Sequence, residues 1–247
     1  LVMKYINCDK VEEDLLDAVR AFNAPRVKEL LKLKDIKVNC KHSLTSSTPQ
    51  RSILEIAANL GVSNNRWDIV KTLLDDPRVE ISLECVCYAF TGVFNASYLL
   101  SVSKANIFNA EDHGFPELIK VLAACDRFDV NATGFGDVQL FPQSAGMIRG
   151  CSMLGIAAAG GLIEVVKLLL DVSNLDVGKS NVHGDCPISL AMIRGCTETA
   201  KIILADPRVD VNKCSNAGTS ILLQAVTSNN VEIVKLLLER KNLDVNA

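Results

Sequence analysis

The stretches GGLIEVVKLLLDVSNLDVG (160–178), GCTETAKIILADPRVDVN (195–212) and NNVEIVKLLLERKNLDVN (229–246) repeat one pattern three times. A unit that recurs at fixed spacing cannot bury its apolar face alone. It stacks on its neighbours, which predicts a solenoid with a long surface and not a globule around one pocket.

The register extends toward the N-terminus through a recurring alanine (Ala18, Ala57, Ala110, Ala157, Ala191, Ala225) and a recurring closing residue (Asn39, Ser82, Asn131, Gly178, Asn212, Asn246). The last two intervals are 34 residues in both series, while the earlier alanine intervals are 39, 53 and 47. The expected organisation is one array over 1–247 with copies at about 11–39, 50–82, 103–131, 150–178, 184–212 and 218–246. The excess residues are assigned to insertions near 83–104 and 132–149, with shorter ones near 43–50 and within Val62–Arg66. All of them are expected to fall between helices.

Within a copy each position has a physical reason. Gly150, Gly184 and Gly218 stand seven residues before the alanine, where a tight turn needs positive φ. Ser52, Ser152 and Ser220 are suited to N-cap the first helix, with Cys186 followed by Pro187 in the fifth copy. Gly61, Gly114, Gly161, Gly195 and then Asn229 are placed to end that helix in the left-handed conformation; the first copy has Phe22 there, beside Asn23. The second helix opens on an acid (Asp68, Glu117, Glu164, Glu198, Glu232) at the positive end of its dipole. Its apolar residues cover most of its circumference, so neighbours must cover both flanks. The copy closes on a short extended piece such as Val209–Asn212, whose Asn is a turn former. The fold class is therefore an all-α repeat solenoid of stacked helix-turn-helix units joined by short β-hairpin-like loops.

These residues resemble the ankyrin repeat family. Its pattern is matched by CPISLA (186–191), SMLGIAAAGGLIEVVKLLL (152–170) and LDVN (243–246), and more loosely by SILEIAANLG (52–61); the third copy keeps only GFPELIKVLA (114–123) and FDVN (128–131). No copy has a full TPLH. The tetratricopeptide family shares the 34-residue period, but its Trp and Tyr positions are absent and it has no counterpart to the closing DVN turn. The resemblance implies a non-enzymatic scaffold or adaptor that binds another protein through hairpin tips and the exposed side of the first helix. Carried onto this chain, those places are Ile148, Arg149, Val182, His183, Asp185, Ile193, Arg194, Asn216, Thr219, Thr227 and Ser228. Two other readings stand beside it. The array could be the targeting arm of an enzyme whose catalytic domain lies elsewhere. It could also be the substrate of an asparaginyl hydroxylase, since family members are modified at the closing asparagine, here Asn212 and Asn246, with Leu204 and Leu238 eight residues before.

Composition bounds the rest. A chain of 247 residues, 49% hydrophobic, can bury an extended core, and a net charge of −3 with basic residues dispersed among acids leaves no footprint for nucleic acid or an anionic membrane. No apolar run is long enough for a membrane span, and LVMKYINCDK has no signal-peptide character. The nine cysteines are an odd count, several at positions that otherwise hold small residues (Cys151, Cys186, Cys196). That usage fits a reducing, intracellular and cytoplasmic setting, the nucleus included. Cys40-x-His42 and Cys85-x-Cys87 have tighter spacers than zinc pairs ordinarily use, so no metal, cofactor or catalytic residue is expected. The three histidines (His42, His113, His183) are expected in turns. Gly134-Phe135-Gly136 reads as a turn, and the sequons at Asn95 and Asn131 as unused.

Seven of the eight Phe (Phe90, Phe94, Phe108, Phe115, Phe128, Phe135, Phe141) lie between 90 and 141, beside the two longest insertions. They could fill a local core or serve as exposed anchors, Phe94 and Phe141 being the binding candidates. At the far end the last copy keeps an interior pattern, with Ile233, Leu236 and Leu237 unrelieved by charge, and Ile6-Asn7 looks like the tail of a preceding copy. The expectation is a monomer, part of a longer chain or covered at that end.

Overall fold

The computed structural model describes residues 10–42, 51–64, 66–81, 115–133 and 149–246. They belong to two compact units, Leu1–Ala96 and Ser97–Ala247. In the first, helices α1 (Lys10–Arg20), α2 (Ala24–Leu31), α3 (Ile53–Asn64) and α4 (Asp68–Leu74) pack so that α1 meets α3 and α2 meets α4. The second contains α5 (Phe115–Ala123), α6 (Met153–Gly160), α7 (Ile163–Leu170), α8 (Pro187–Ile193), α9 (Thr197–Ala205), α10 (Ile221–Thr227) and α11 (Val231–Leu238). Its first helices α6, α8 and α10 stack in one row, and its second helices α5, α7, α9 and α11 in another. Within each of the two, this is the expected stacking of helix-turn-helix copies.

The alanine that set the register has a structural task. Its carbonyl accepts the N–H of the residue five places on: Asn23 to Ala18 at 2.9 Å, Leu162 to Ala157 at 3.0 Å, Cys196 to Ala191 at 2.8 Å and Asn230 to Ala225 at 2.9 Å. That is the Schellman closure, and it forces the intervening residue into the left-handed region. Gly161 and Gly195 accept this without strain, and Asn229 (φ 52°) and Phe22 (φ 53°) accept it too. Each chain-turn then enters the second helix, where Asn23 and Asn230 cap through their side chains.

The second copy departs from expectation. Gly61 does not end its helix: α3 runs on to Asn64, so Val62, Ser63 and Asn64 lengthen the helix by about a turn instead of lying between helices. The reason for glycine there is space. A Cβ on Gly61 would lie 3.0 Å from the ring of Trp67, which is itself nearly buried. His42 is likewise corrected from a turn to a buried place in the strand pair β1 (Lys41–His42) and β2 (Arg51–Ser52).

That strand pair recurs in miniature. Lys41 pairs with Ser52, Thr133 with Ser152 and Cys214 with Ser220, in each case the residue two past the closing Asn against the serine that opens the next first helix. The insertions near 43–50 and 132–149 lie mostly outside the described residues. Ser152 and Ser220 also cap their helices by accepting N–H bonds from Gly155 at 3.2 Å and Leu223 at 3.3 Å.

The closing asparagine does more than turn the chain; it ties its copy to the next. Asn39 donates to Arg78 O (2.8 Å) and accepts from Glu80 N (2.9 Å). Asn131 does the same with Asn174 O and Asp176 N (both 2.7 Å), and Asn212 with Asn242 O (2.7 Å) and Asp244 N (2.8 Å). Arginines add a second tie: Arg78 reaches the carbonyls at the end of α2, Arg208 those of Leu170 and Val172, and Arg240 those of Leu204 and Asp206. Orphan carbonyls at the negative end of a helix are thereby satisfied by a cation from the next unit.

Gly178 breaks the asparagine series, and its φ is not positive. A Cβ there would have only ordinary contacts, Asp176 Oδ1 and Lys213 Nζ at 3.6 Å. Gly178→Asn should therefore restore the tie, to Arg208 O and Asp210 N by analogy. The expected gain is roughly 1–2 kcal/mol from reduced unfolded-chain freedom and two hydrogen bonds. Urea unfolding checks this, and a lower midpoint than the parent would contradict it.

The last helix also needs correction. Ile233 and Leu237 are fully buried and Leu236 is half-buried, because the i, i+4 pair points inward. What lies uncovered is the other flank: Leu223, Val226, Val231, Leu238 and Val245.

Candidate functional site

The hairpin tips of the second unit are built on two short polar turns. Asn181, buried, receives N–H bonds from His183 and Asp185 on its Oδ1 (both 2.9 Å), while its own N–H goes to Asp185 O (3.0 Å). One copy later Ser215 accepts the Thr219 N–H on its Oγ (3.3 Å) and the Gly218 N–H on its carbonyl (2.9 Å), while its own N–H goes to Thr219 O (3.0 Å). Asn and Ser suit these places because a short side-chain acceptor can mimic a turn carbonyl.

Neighbouring tips are then bonded to each other. Val182 N donates to Arg149 O (3.1 Å), Asn216 N donates to His183 O (2.9 Å), and Asn216 Nδ2 donates to Val182 O (3.0 Å). Gly184 makes this approach feasible, since a Cβ there would come within 2.5 Å of Asn216 Oδ1 and closer still to its backbone N. Gly150 stands in the same relation to the Val182 side chain.

Of the residues expected to meet a partner, Arg149, Val182, His183 and Asn216 are brought together along this line of tips and are exposed. Ile193 and Arg194 are exposed at the end of α8, and Thr227 and Ser228 at the end of α10. Asp185 and Thr219 are half-buried and spend their backbones on the turns. Ile148, Phe94 and Phe141 lie outside the described residues, as do Cys85, Cys87, His113 and Phe90, Phe108 and Phe135; Phe128 is half-buried. The sequence reading missed Val226, 55% exposed where the copy before has buried Met192, and the organising role of Asn181. The N-x-x-G spacing before Gly184 was the available signal for the latter.

Among the described residues, nothing in this surface gathers groups able to hold a metal. Burial, with a smaller push from the Asp185 charge, raises the Cys151 thiol to about 12, and burial also raises Cys196, so both stay protonated and weakly nucleophilic. His42 is lowered from its ordinary value, first by burial and then by the Arg20 charge. No group of three or more His, Cys, Asp or Glu among the described residues is arranged to hold a metal. No described helix is long and apolar enough to cross a membrane. The six described cysteines are free thiols.

Residues 154–247 match the family of ankyrin repeats, in three copies. Residues 154–247 carry ankyrin repeats. Among solved structures, the ankyrin repeat protein EF0377 is similar over 93% of this chain and 98% of its own, at 20% identity and a TM-score of 0.58. An ankyrin repeat domain from Acinetobacter baumannii AYE is similar over 91% and 95%, at 18% identity and a TM-score of 0.60. At these identities the likeness establishes the ankyrin fold. No curated protein matches the chain by sequence. Ankyrin repeats in general are protein–protein interaction modules and are typically not catalytic. Three closing asparagines are engaged: both amide atoms of Asn39, Asn131 and Asn212 are bonded to the next copy.

Proposed function

We propose that this chain is a non-enzymatic intracellular scaffold or adaptor, one array of six ankyrin-like repeats that holds a partner protein on its hairpin tips and the exposed ends of its first helices. The observation that carries this reading is the bonding of each tip to the next. It fixes the backbone beneath Arg149, Val182, His183 and Asn216 while leaving these residues exposed. A surface whose backbone is held before binding loses little freedom on association, which is what an efficient docking face requires.

The test begins with a partner recovered by pull-down from the source cell and identified by mass spectrometry, its affinity then measured by calorimetry. His183→Ala with Arg194→Ala should weaken binding several-fold while costing less than about 0.5 kcal/mol of stability, as exposed substitutions ordinarily do. Phe94→Ala and Phe141→Ala examine the insertions in the same assay. Unchanged affinity after all four substitutions would move the site to the second-helix side and end this reading.

A further inference from the structure

Along the sequence basic and acidic residues alternate, but the fold separates them. The tip and first-helix segments 149–161, 178–195 and 212–229 contain Arg149, Lys179, Arg194 and Lys213, with His183, against the single acid Asp185. The intervening second-helix segments 162–177 and 196–211 contain six acids against Lys167, Lys201 and Arg208. Those three bases are paired locally, to Glu164, Glu198 and Asp206, each at 2.7 Å. Helices α6, α8 and α10 contain no charged residue at all. In a chain of net charge −3, the tip and first-helix segments of residues 149–229 are thus net positive.

The same surface has apolar relief. Val182 (50% exposed) stands beside His183, and Ile193 (39% exposed) beside Arg194; Val226 is exposed one copy on. The one acid has its carboxylate half-buried, accepting from Asn181 Nδ2 at 3.5 Å.

We propose that the tip and first-helix surface of residues 149–229 binds an acidic segment of a partner protein, with carboxylates set beside apolar side chains. This rests on the scaffold reading and specifies the chemistry of its ligand. Complementary potentials select the partner and speed its approach, while desolvated apolar anchors hold it. Nucleic acid is disfavoured because the described surface alternates Val and Ile with its bases and displays no exposed aromatic residue for base stacking.

The experiment is selection of phage-displayed random peptides on the immobilised 247-residue chain. Recovered peptides should be enriched in Asp or Glu next to Leu, Ile or Phe, and their binding should weaken as salt shortens the screening length. Arg149→Glu with Arg194→Glu should reduce the leading peptide's affinity roughly tenfold or more. Lys167→Glu with Lys235→Glu, the same change of net charge on the second-helix side, should leave it nearly unchanged. Peptides that need Val182, His183, Ile193 and Arg194 but carry no acid, or that tolerate the arginine reversals, would overturn this inference and leave the scaffold reading standing. A single-stranded DNA oligonucleotide bound more tightly and lost in the same arginine variant would also overturn it. Recovery only of peptides indifferent to all four tip residues, or of none, would count against the scaffold reading itself.

Discussion

Gly184→Ala is expected to destabilise the second unit by roughly 3 kcal/mol, and Gly218→Ala by only about 1–2 kcal/mol, although the two glycines occupy the same place in successive copies. Both have left-handed backbones, φ 81° and 74°, and a Cβ in that region costs about 1–2 kcal/mol at either site. The difference lies in the neighbour. A Cβ on Gly218 meets nothing within 4 Å, whereas on Gly184 it collides with Asn216, main chain included. The next tip must then move, weakening the Asn216 bonds to His183 O and Val182 O, each worth about 0.5–1.5 kcal/mol. Urea unfolding of the two variants measures this. Equal losses would show that the tips are not in register as described. The same displacement carries His183 and Asn216 away from their positions, so Gly184→Ala should also weaken partner binding.

The second large contrast sets Leu204 against Leu238, again one place in successive copies. Leu204 is 3% exposed and Leu238 is 58% exposed. Leu204→Ala should cost about 2–5 kcal/mol, the range for a buried leucine that leaves a cavity. Leu238→Ala should cost under about 0.5 kcal/mol. The pairs Val211 and Val245, and Met192 and Val226, repeat the relation of a buried residue to an exposed one. With one flank uncovered, this copy forgoes burial that its predecessors have, and amides in 219–246 should exchange sooner than those in 152–178. A large cost at Leu238 in dilute solution, or equal protection of the two segments, would show that the flank is covered by a second molecule.

What the sequence revealed and what it hid follow from the range of the interactions involved. Gly161 and Gly195 were legible as helix terminators because the requirement is local, one residue in one backbone region. Gly61 carried the same letter at the same spacing and was misread, since its reason is the Trp67 ring packed against it, a matter of packing invisible to spacing. Phe22 was the reverse case: a residue with no intrinsic preference for the left-handed region, placed there by the Asn23 to Ala18 bond and lying under the Arg66 guanidinium, 5.3 Å from the ring centre. The closing asparagines were recognised as turn formers, yet their main work spans 30 to 45 residues and needed coordinates to be seen. At the candidate site, exposure at the tips was anticipated from pattern. The sorting of charge between the two sides of the second unit was not, because acids and bases alternate in the chain and part only when helices alternate in space.

The closure onto the alanine carbonyl has a bearing on how such arrays diverge. The left-handed residue is dictated by a bond that its neighbours make, so the turn survives when its glycine becomes asparagine, as at Asn229, or even phenylalanine, as at Phe22. The letter that most readily betrays a repeat to the eye is thus one that descent can erase, whereas the unremarkable alanine upstream is constrained by the space between stacked helices. Ancient copies should be sought by the spacing of small residues rather than by their glycines, and an array can become unrecognisable as text while remaining unaltered as an object.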